Sequence, residues 1–135
     1  MKEKLTKLLE NSCSKYYHYP VAAILECKDG QLFNGVNIET SSPQAGTCAE
    51  RAALYSAMSN GYKKADFKAI HLMAKSGKKL YPCFICRQAL NDICDKKMPI
   101  IIYSNEAIET TTVEELCVKA FSDGDLKWNQ DSSAL

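Results

Sequence analysis

The sequence has no strong net charge, no long apolar run and few histidines. Its 135 residues include only two histidines and carry a formal net charge of +1, so no strong field attracts nucleic acid or an anionic membrane. No apolar run approaches the length that a bilayer requires. The first four residues lead into an amphipathic pattern rather than the apolar segment of a signal peptide. We therefore expect a cytoplasmic protein that binds neither membranes nor nucleic acid.

The sequence also lacks the even set of cysteines that indicates a disulfide framework. It has seven cysteines, and an odd number without a secretion signal favours metal binding or simple burial. Free cysteine commonly behaves as a small core residue. Four cysteines lie in apolar or helical patterns and are expected to do so: Cys13, Cys27, Cys94 and Cys117.

Length and composition predict a single domain that spans residues 1–135, with an ordinary content of 46% hydrophobic and 24% charged residues. The apolar periodicity predicts the element order α-β-β-α-β-α-β-β-α. Helices are expected at 1–13, 48–60, about 83–95 and from 113, and strands at 21–27, 31–38, 67–74, 99–103 and 107–112. Asp29-Gly30 marks a hairpin between the first two strands. Hairpin and β-α-β crossovers together predict an α/β fold, a three-layer α/β/α domain around one mixed sheet.

Two short stretches carry the residue types of a metal site, Thr47 to Arg51 and Pro82 to Gln88. Catalytic zinc takes three protein ligands and leaves one position for water. Cys83 and Cys86 are three residues apart at a predicted helix start, which places them on one face of the helix. Cys48 is the candidate third ligand. Neither histidine is placed to complete a four-ligand structural site, so the fourth position is expected to be open.

Glu50 is the candidate proton carrier of this site. Deep inside a helix, Cys48 and Glu50 would point about 200° apart, so they can converge only where the chain enters the helix. Two helix N-termini would then face one metal and offset the negative charge of three thiolates. Arg51 and Arg87 each follow the last key residue of their stretch. We expect both arginines to donate hydrogen bonds to the thiolates.

Each piece also has an ordinary structural interpretation. A Cys-x-x-Cys pair occurs in redox motifs and structural zinc sites, and Thr47-x-x-Glu50 has the form of a helix capping box. Taken singly, the two arginines suit surface ion pairs and Cys48 suits the core. The joint pattern favours a catalytic zinc site, because a structural zinc module has no use for an open position beside a glutamate.

Cys-Ala-Glu-Arg at 48–51 followed by Pro-Cys-x-x-Cys-Arg-Gln at 82–88 resembles the small homotetrameric zinc-dependent cytidine deaminases. The resemblance covers residues 16–126. The segments 19–23 and 35–39 are similar to the family's Phe-Pro-Val-Gly-Ala and Asn-Ile-Glu stretches. Phe121 and Asp125-Leu126 are similar to its C-terminal aromatic segment. Relatives that edit nucleic acid usually carry histidine where this chain has Cys48.

This resemblance implies a mixed five-stranded sheet, one Zn²⁺ per subunit and a homotetramer with active sites near subunit interfaces. The implied reaction is hydrolytic deamination of cytidine and deoxycytidine to uridine and deoxyuridine, with release of ammonia, in pyrimidine salvage. Glu50 is implied to move protons from water to N3 of cytosine and to the leaving amine. The implied substrate-binding residues are Tyr19, Asn37, Glu39, Ala49 and Phe121. Without the resemblance, Asn37 and Glu39 read as a polar strand end.

The sequence departs from the family pattern at positions that surround the expected substrate. Phe84 stands where the family usually has glycine, Thr40 where it commonly has asparagine, and Ala22 where it has glycine. The loop Ser42-Pro43-Gln44 also differs from the usual Tyr-Pro region. Substrate identity therefore stays open, and the alternative is a deaminase of another aminopyrimidine nucleoside such as blasticidin S.

Overall fold

The computed structural model describes residues 1–129 of the chain. The observed order of helices and strands is the predicted one, and the α/β class is confirmed. Four α-helices are present in the described residues: α1 (Lys2–Leu8), α2 (Ala49–Ser59), α3 (Phe84–Ile93) and α4 (Val113–Leu116). The strands are β1 (Val21–Cys27), β2 (Leu32–Val36), β3 (Phe67–Ala74), β4 (Pro99–Tyr103) and β5 (Ile108–Thr112).

The five strands form one mixed sheet in the order β2-β1-β3-β4-β5. Only β3 and β4 are parallel, and α3 lies in the connection between them, as a β-α-β unit requires. The predicted hairpin joins β1 to β2, which pair antiparallel. Gly30 occupies the left-handed region at φ 90° in its turn, a conformation that glycine adopts without a steric penalty.

Apolar residues cover both faces of the sheet, and they form two separate cores. Alternate residues of β1 point to opposite sides, because side chains alternate along a strand. Ala23 and Leu25 belong to the larger core, which also contains buried residues of α2 and α3. Ala22 and Ile24 pack in the smaller core with Leu5 of α1. The sheet is therefore the middle of three layers, with α2 and α3 on one side and α1 on the other.

The first helix is shorter than the predicted 1–13. The α-helix ends at Leu8, and a 3₁₀ turn continues it to Asn11. Beyond that turn the chain is extended, because Cys13 pairs with the segment after β2. Its N–H donates to the Asn37 carbonyl at 3.1 Å and its carbonyl accepts from the Glu39 N–H at 2.7 Å. Backbone pairing therefore overrides the helical pattern from residue 12.

The four cysteines predicted as core residues differ in burial. Cys27 and Cys94 are buried, whereas Cys13 and Cys117 are half-buried. Across residues 1–129, no helix has both the length and the apolar character needed to cross a membrane.

Candidate active site

The first sulfur of the site sits at the entrance of α2. Cys48 is the N-cap of this helix and has extended backbone angles, φ −78° and ψ 156°. The preceding loop is tied to the segment after β2, because Ile38 and Thr47 exchange backbone hydrogen bonds of 2.9 and 3.0 Å. Thr47 is thus outside the helix. Cys48 is therefore held just before the helix, where its sulfur and the Glu50 side chain can point to the same site.

The other two sulfurs belong to the first turn of α3. Cys83 is the N-cap of this helix, and its Sγ accepts a hydrogen bond from the Cys86 N–H at 3.5 Å. Pro82 is fully buried, and its carbonyl accepts from Arg87 Nε at 2.8 Å. Both helices therefore direct the positive ends of their dipoles at one point.

The three sulfurs are arranged as zinc requires. Cys48 Sγ and Cys83 Sγ are 3.7 Å apart, and all three Sγ atoms lie within 4.8 Å of one another. Zn–S bonds of about 2.3 Å in a tetrahedron separate sulfurs by about 3.8 Å. Cys48, Cys83 and Cys86 therefore fit Zn²⁺ as three ligands, with a fourth position available to water or substrate.

Glu50 lies beside this cluster in the first turn of α2 and is only 4% exposed. Its Oε2 is 3.8 Å from Cys86 Sγ. Burial, reinforced by the charge of Cys48, raises the pKa of Glu50 to about 7. The capping-box alternative is not what the structure contains, because Thr47 Oγ1 donates to the Cys48 carbonyl instead of capping α2. A carboxyl group with this pKa can both accept and donate a proton near neutral pH.

The two arginines have different partners. Arg51 Nη2 donates to Cys48 Sγ at 3.6 Å, and its Nε is buried without a hydrogen-bond partner in residues 1–129. Hydrogen bonds from Cys86 and Arg51 lower the pKa of Cys48. Arg87 instead donates to the backbone carbonyls of Pro82 and Leu116, the latter at 3.0 Å. The expected thiolate contact is thus present for Arg51, whereas Arg87 fastens the start of α3.

A pocket of about 510 Å³ opens beside the cluster. Its walls contain two of the three sulfur residues and four of the five substrate-binding candidates, with further side chains around them. The lining residues are Tyr17, Tyr19, Val21, Asn37, Glu39, Cys48, Ala49, Glu50, Leu80, Tyr81 and Cys83. Phe121 is the exception, since it is 56% exposed and its carbonyl is held by Gln88 Nε2 at 2.9 Å.

The Asn37 and Glu39 side chains already fasten the 12–21 segment. Asn37 Oδ1 accepts from Val21 N–H at 2.9 Å and from Ser12 Oγ, while its Nδ2 donates to the Tyr19 carbonyl at 2.9 Å. Glu39 Oε1 accepts from two backbone N–H groups at 2.9 Å, those of residues 16 and 17, and Oε2 accepts from the hydroxyl of residue 14. These bonds hold in place the loop whose tyrosines line the pocket.

Sequence reasoning overlooked four lining residues. Tyr17 precedes the 19–23 segment and Val21 lies within it, whereas Leu80 and Tyr81 immediately precede Pro82-Cys83. Their adjacency to those motifs was the available signal. Adjacency alone does not show which side chains face a pocket, because Tyr17, Leu80 and Tyr81 lie in loops without periodicity and Val21 begins a buried strand.

The fold and the three-sulfur cluster define a zinc-binding α/β protein with a buried carboxyl group beside the metal site. Comparison with known proteins agrees: the family described as "Cytidine and deoxycytidylate deaminase zinc-binding region" matches residues 1–102. A cytidine deaminase of Sporosarcina psychrophila is 37% identical over 123 residues, which are 90% of this chain and 89% of that protein. The chain belongs to the cytidine and deoxycytidylate deaminase family, and its cofactor is one Zn²⁺ per subunit.

Two further similarities bear on fold and substrate. A crystal structure of cytidine deaminase from Burkholderia pseudomallei superposes with a TM-score of 0.82 at 29% identity, covering 88% of this chain and 94% of that one. A blasticidin-S deaminase of Bacillus cereus is 31% identical over 122 residues, or 84% of this chain and 81% of that protein.

Proposed function

We propose that this chain catalyses zinc-dependent hydrolytic deamination of cytidine and deoxycytidine to uridine and deoxyuridine, in pyrimidine salvage. The observation that carries the proposal is the buried Glu50 carboxyl, which lies 3.8 Å from Cys86 Sγ and lines a pocket of about 510 Å³. The Sporosarcina and Burkholderia relatives, both described as cytidine deaminases, support the same reaction.

Cys48, Cys83 and Cys86 would hold Zn²⁺, which supplies a water molecule of lowered pKa when it is bound. Glu50 would take one proton from the attacking water and deliver it to N3 of cytosine as the water oxygen adds to C4. It would then carry the proton of the added hydroxyl to the C4 amine, so that the C4 carbonyl forms, the C4–N bond breaks and ammonia departs. A carboxyl pKa of about 7 suits both directions of transfer.

Arg51 keeps the Cys48 sulfur in its ionised form, because its Nη2 donates to that sulfur at 3.6 Å. The thiolate is the form that binds a metal. Ala49 lies between Cys48 and Glu50 and lines the pocket, so its backbone borders the base.

Asn37 and Glu39 would bind the sugar, since each retains one hydrogen-bonding position. An ionised carboxylate has about four acceptor positions, and Glu39 uses three of them for bonds within residues 1–129. Asn37 Nδ2 uses one of two N–H groups in the same residues. A free donor beside a free acceptor matches a sugar hydroxyl, which can accept and donate at once. Tyr19 would contact the pyrimidine ring from the neighbouring loop.

The loss of cytosine absorbance, with ammonia release, tests the reaction on purified zinc-loaded protein. Glu50→Gln should retain one zinc per chain and lose turnover by about 100- to 10,000-fold, the usual contribution of a positioned acid–base group. Glu114→Gln, on the exposed side of α4, is the matched control and should keep full activity. Turnover by Glu50→Gln at the wild-type rate would show that Glu50 is not the proton carrier.

The alternative substrate is blasticidin S, which the 31% identity to the Bacillus cereus blasticidin-S deaminase favours. Comparing kcat/KM for cytidine, deoxycytidine and blasticidin S on one zinc-loaded preparation decides between them. A clear preference for blasticidin S would replace the leading substrate and leave the reaction class intact.

We further infer a homotetramer with active sites near subunit interfaces. Phe84 and Ile85 begin α3 beside Cys83 and Cys86 and are 79% and 65% exposed. Phe121 is 56% exposed, and its carbonyl accepts a hydrogen bond from Gln88 of the same helix. Apolar side chains concentrated on one surface mark association sites. Phe121 would then reach a neighbouring pocket rather than its own. Light scattering should give about four times the 15.0-kDa chain mass, and Phe84→Gly should weaken assembly.

A cytoplasmic location is also part of the proposal. Three cysteine sulfurs must stay reduced to bind the metal, which suits a reducing compartment. The formal net charge of +1 offers no basis for binding nucleic acid.

A further inference from the structure

Leu80 and Tyr81 form one wall of the pocket, in the segment that leads from β3 to α3. Tyr81 is two residues from Cys83, so their Cα atoms are at most about 7 Å apart. The intervening Pro82 is fully buried, and its carbonyl accepts a hydrogen bond from Arg87 at 2.8 Å. The backbone that carries the Tyr81 ring is therefore held at the metal end of the pocket.

The far end of the Tyr81 ring is also held. Its hydroxyl donates to Glu109 Oε2 at 2.7 Å, and Lys79 Nζ lies 3.5 Å from the same oxygen. Glu109 belongs to β5, at the edge of the sheet. The Tyr81 hydroxyl is the donor of this hydrogen bond, because a carboxylate can only accept. The ring is fixed at both ends, and it links two elements that are distant in the sequence.

We propose that Tyr81, held by Glu109, is a specificity-determining residue that limits substituents at C5 of the pyrimidine ring. The inference rests on the proposed function, in which the base occupies the metal end of the pocket and Asn37 and Glu39 bind the sugar. Tyr81 and Cys83 line the same part of the pocket, so we place the Tyr81 ring beside the base rather than the sugar. Glu50 serves N3 on one side of C4, and a wall on the cysteine side then faces C5. Because the Tyr81 ring is held in one orientation, the pocket is expected to accept an unsubstituted pyrimidine and to exclude a methyl group at C5.

The test is the ratio of kcat/KM for 5-methylcytidine to kcat/KM for cytidine. Tyr81→Ser removes the wall and should raise this ratio about tenfold, since one methyl group in a fitted pocket changes discrimination by about tenfold or more. Tyr55→Ser is the control, because Tyr55 lies on α2 outside the pocket lining and is 44% exposed. An unchanged ratio in Tyr81→Ser would overturn the proposal.

The role of Glu109 has its own test. Tyr81→Phe keeps the ring and Glu109→Ala keeps the tyrosine, yet each removes the hydrogen bond that fixes the ring. Each should raise the ratio by about threefold, and the double variant should match the single variants, because effects of one shared interaction do not add. Glu106→Ala, in the exposed turn before β5, should leave the ratio unchanged. Additive effects would show that Glu109 does not act through Tyr81.

Equilibrium binding separates this inference from the proposed reaction. Uridine and 5-methyluridine are titrated into zinc-loaded Glu50→Gln protein, with and without Tyr81→Ser. The preference for uridine should fall about tenfold when Tyr81 is replaced. If cytidine is not deaminated but this shift occurs, the proposed function fails and the role of Tyr81 stands. If cytidine is deaminated and neither the binding preference nor the kinetic ratio moves, the role of Tyr81 fails.

Discussion

Buried polar groups are well hydrogen-bonded on one face of the sheet and poorly hydrogen-bonded on the other. On the α1 face, His71 is 5% exposed and both ring nitrogens have partners. Its Nε2 is 2.9 Å from Glu26 Oε2 and its Nδ1 is 3.0 Å from the Tyr103 hydroxyl. An ionised carboxylate only accepts, so Nε2 donates to Glu26. In the neutral imidazole, Nδ1 then accepts from the Tyr103 hydroxyl. Lys68 Nζ completes the network by donating to Glu26 Oε1 at 2.8 Å.

On the α2 and α3 face, the polar groups are close together but poorly satisfied. The sulfur contacts of Cys48 and Cys86 with Arg51 and Glu50 are 3.6 and 3.8 Å long, and Arg51 Nε has no partner in residues 1–129. Buried polar groups are normally hydrogen-bonded, so each exception calls for an explanation. Zn²⁺ explains the sulfurs, whereas the His71 network needs nothing further. The sulfur cluster is therefore interpreted as a metal-binding site, and the His71 network as a contribution to the stability of the fold.

Removing one sulfur from the metal face should have the largest effect. Cys86→Ser is expected to lose zinc and to lower deaminase activity on the order of 1,000-fold or more, because no other group can supply the activated water. Cys94→Ser alters a buried cysteine of the core and should retain zinc. Metal analysis and cytidine turnover check both variants. Full zinc content in Cys86→Ser would contradict the assignment of the cluster.

A smaller loss of stability and activity is expected from a substitution where α2 packs against the sheet. A Cβ at Gly35 of β2 would overlap the Ala49 carbonyl oxygen and the Ala53 nitrogen, and a helix backbone cannot move aside as a side chain can. Gly35→Ala should therefore lower the free energy of unfolding by about 3 kcal/mol. It should also lower activity, because Ala49 lies between Cys48 and Glu50.

Gly30→Ala is the control for this effect. Gly30 has φ 90° and nothing within 4 Å of an added Cβ, so the substitution costs backbone strain of about 1 kcal/mol far from the cluster. Urea unfolding and kcat measure the two variants. Equal kcat values in Gly35→Ala and Gly30→Ala would show that α2 is not positioned by this contact.

The two arginines offer a sharper comparison within the metal face. Arg51→Met should weaken zinc binding about 10- to 100-fold, as is usual when a partner of a metal ligand is lost. Arg87→Met should leave zinc affinity within about threefold, because Arg87 donates to backbone carbonyls rather than to sulfur. Competition with a zinc chelator measures both. A similar loss of zinc affinity in the two variants would mean that both arginines support the thiolates, as the sequence suggests.

The features that sequence reasoning predicted are those with a local signal. Cys83 and Cys86 at one turn of spacing, the Asp29-Gly30 hairpin and the alternating elements each depend on a few adjacent residues. The partners of Arg87 and the contact between Tyr81 and Glu109 depend on how distant segments meet. The first helix was overestimated for the same reason, since pairing with residues 37–39 ends it. Long-range contacts decide these details, and they leave no periodic trace in the sequence.

The smallest effect is expected on the α1 face. Hydrogen bonds from Lys68 and His71 lower the pKa of Glu26 below its ordinary value of 4.5. A carboxyl group with a depressed pKa stabilises the fold above its unfolded pKa, and this stability is lost as the pH falls through the folded pKa. Glu26→Gln should therefore cost less than about 1 kcal/mol at pH 7, because the pair is partly exposed.

The cost of Glu26→Gln should shrink as the pH falls through the depressed folded pKa of Glu26, because the wild-type carboxyl group then becomes protonated as well. Urea unfolding at pH 7 and pH 3.5 measures this difference, with Glu106→Gln in an exposed turn as the control. Zinc content and cytidine turnover at pH 7 should match the wild type, since the sheet separates Glu26 from the sulfur cluster. Loss of zinc in Glu26→Gln would mean that the two faces are coupled, and the distinction between a binding face and a stabilising face would then fail.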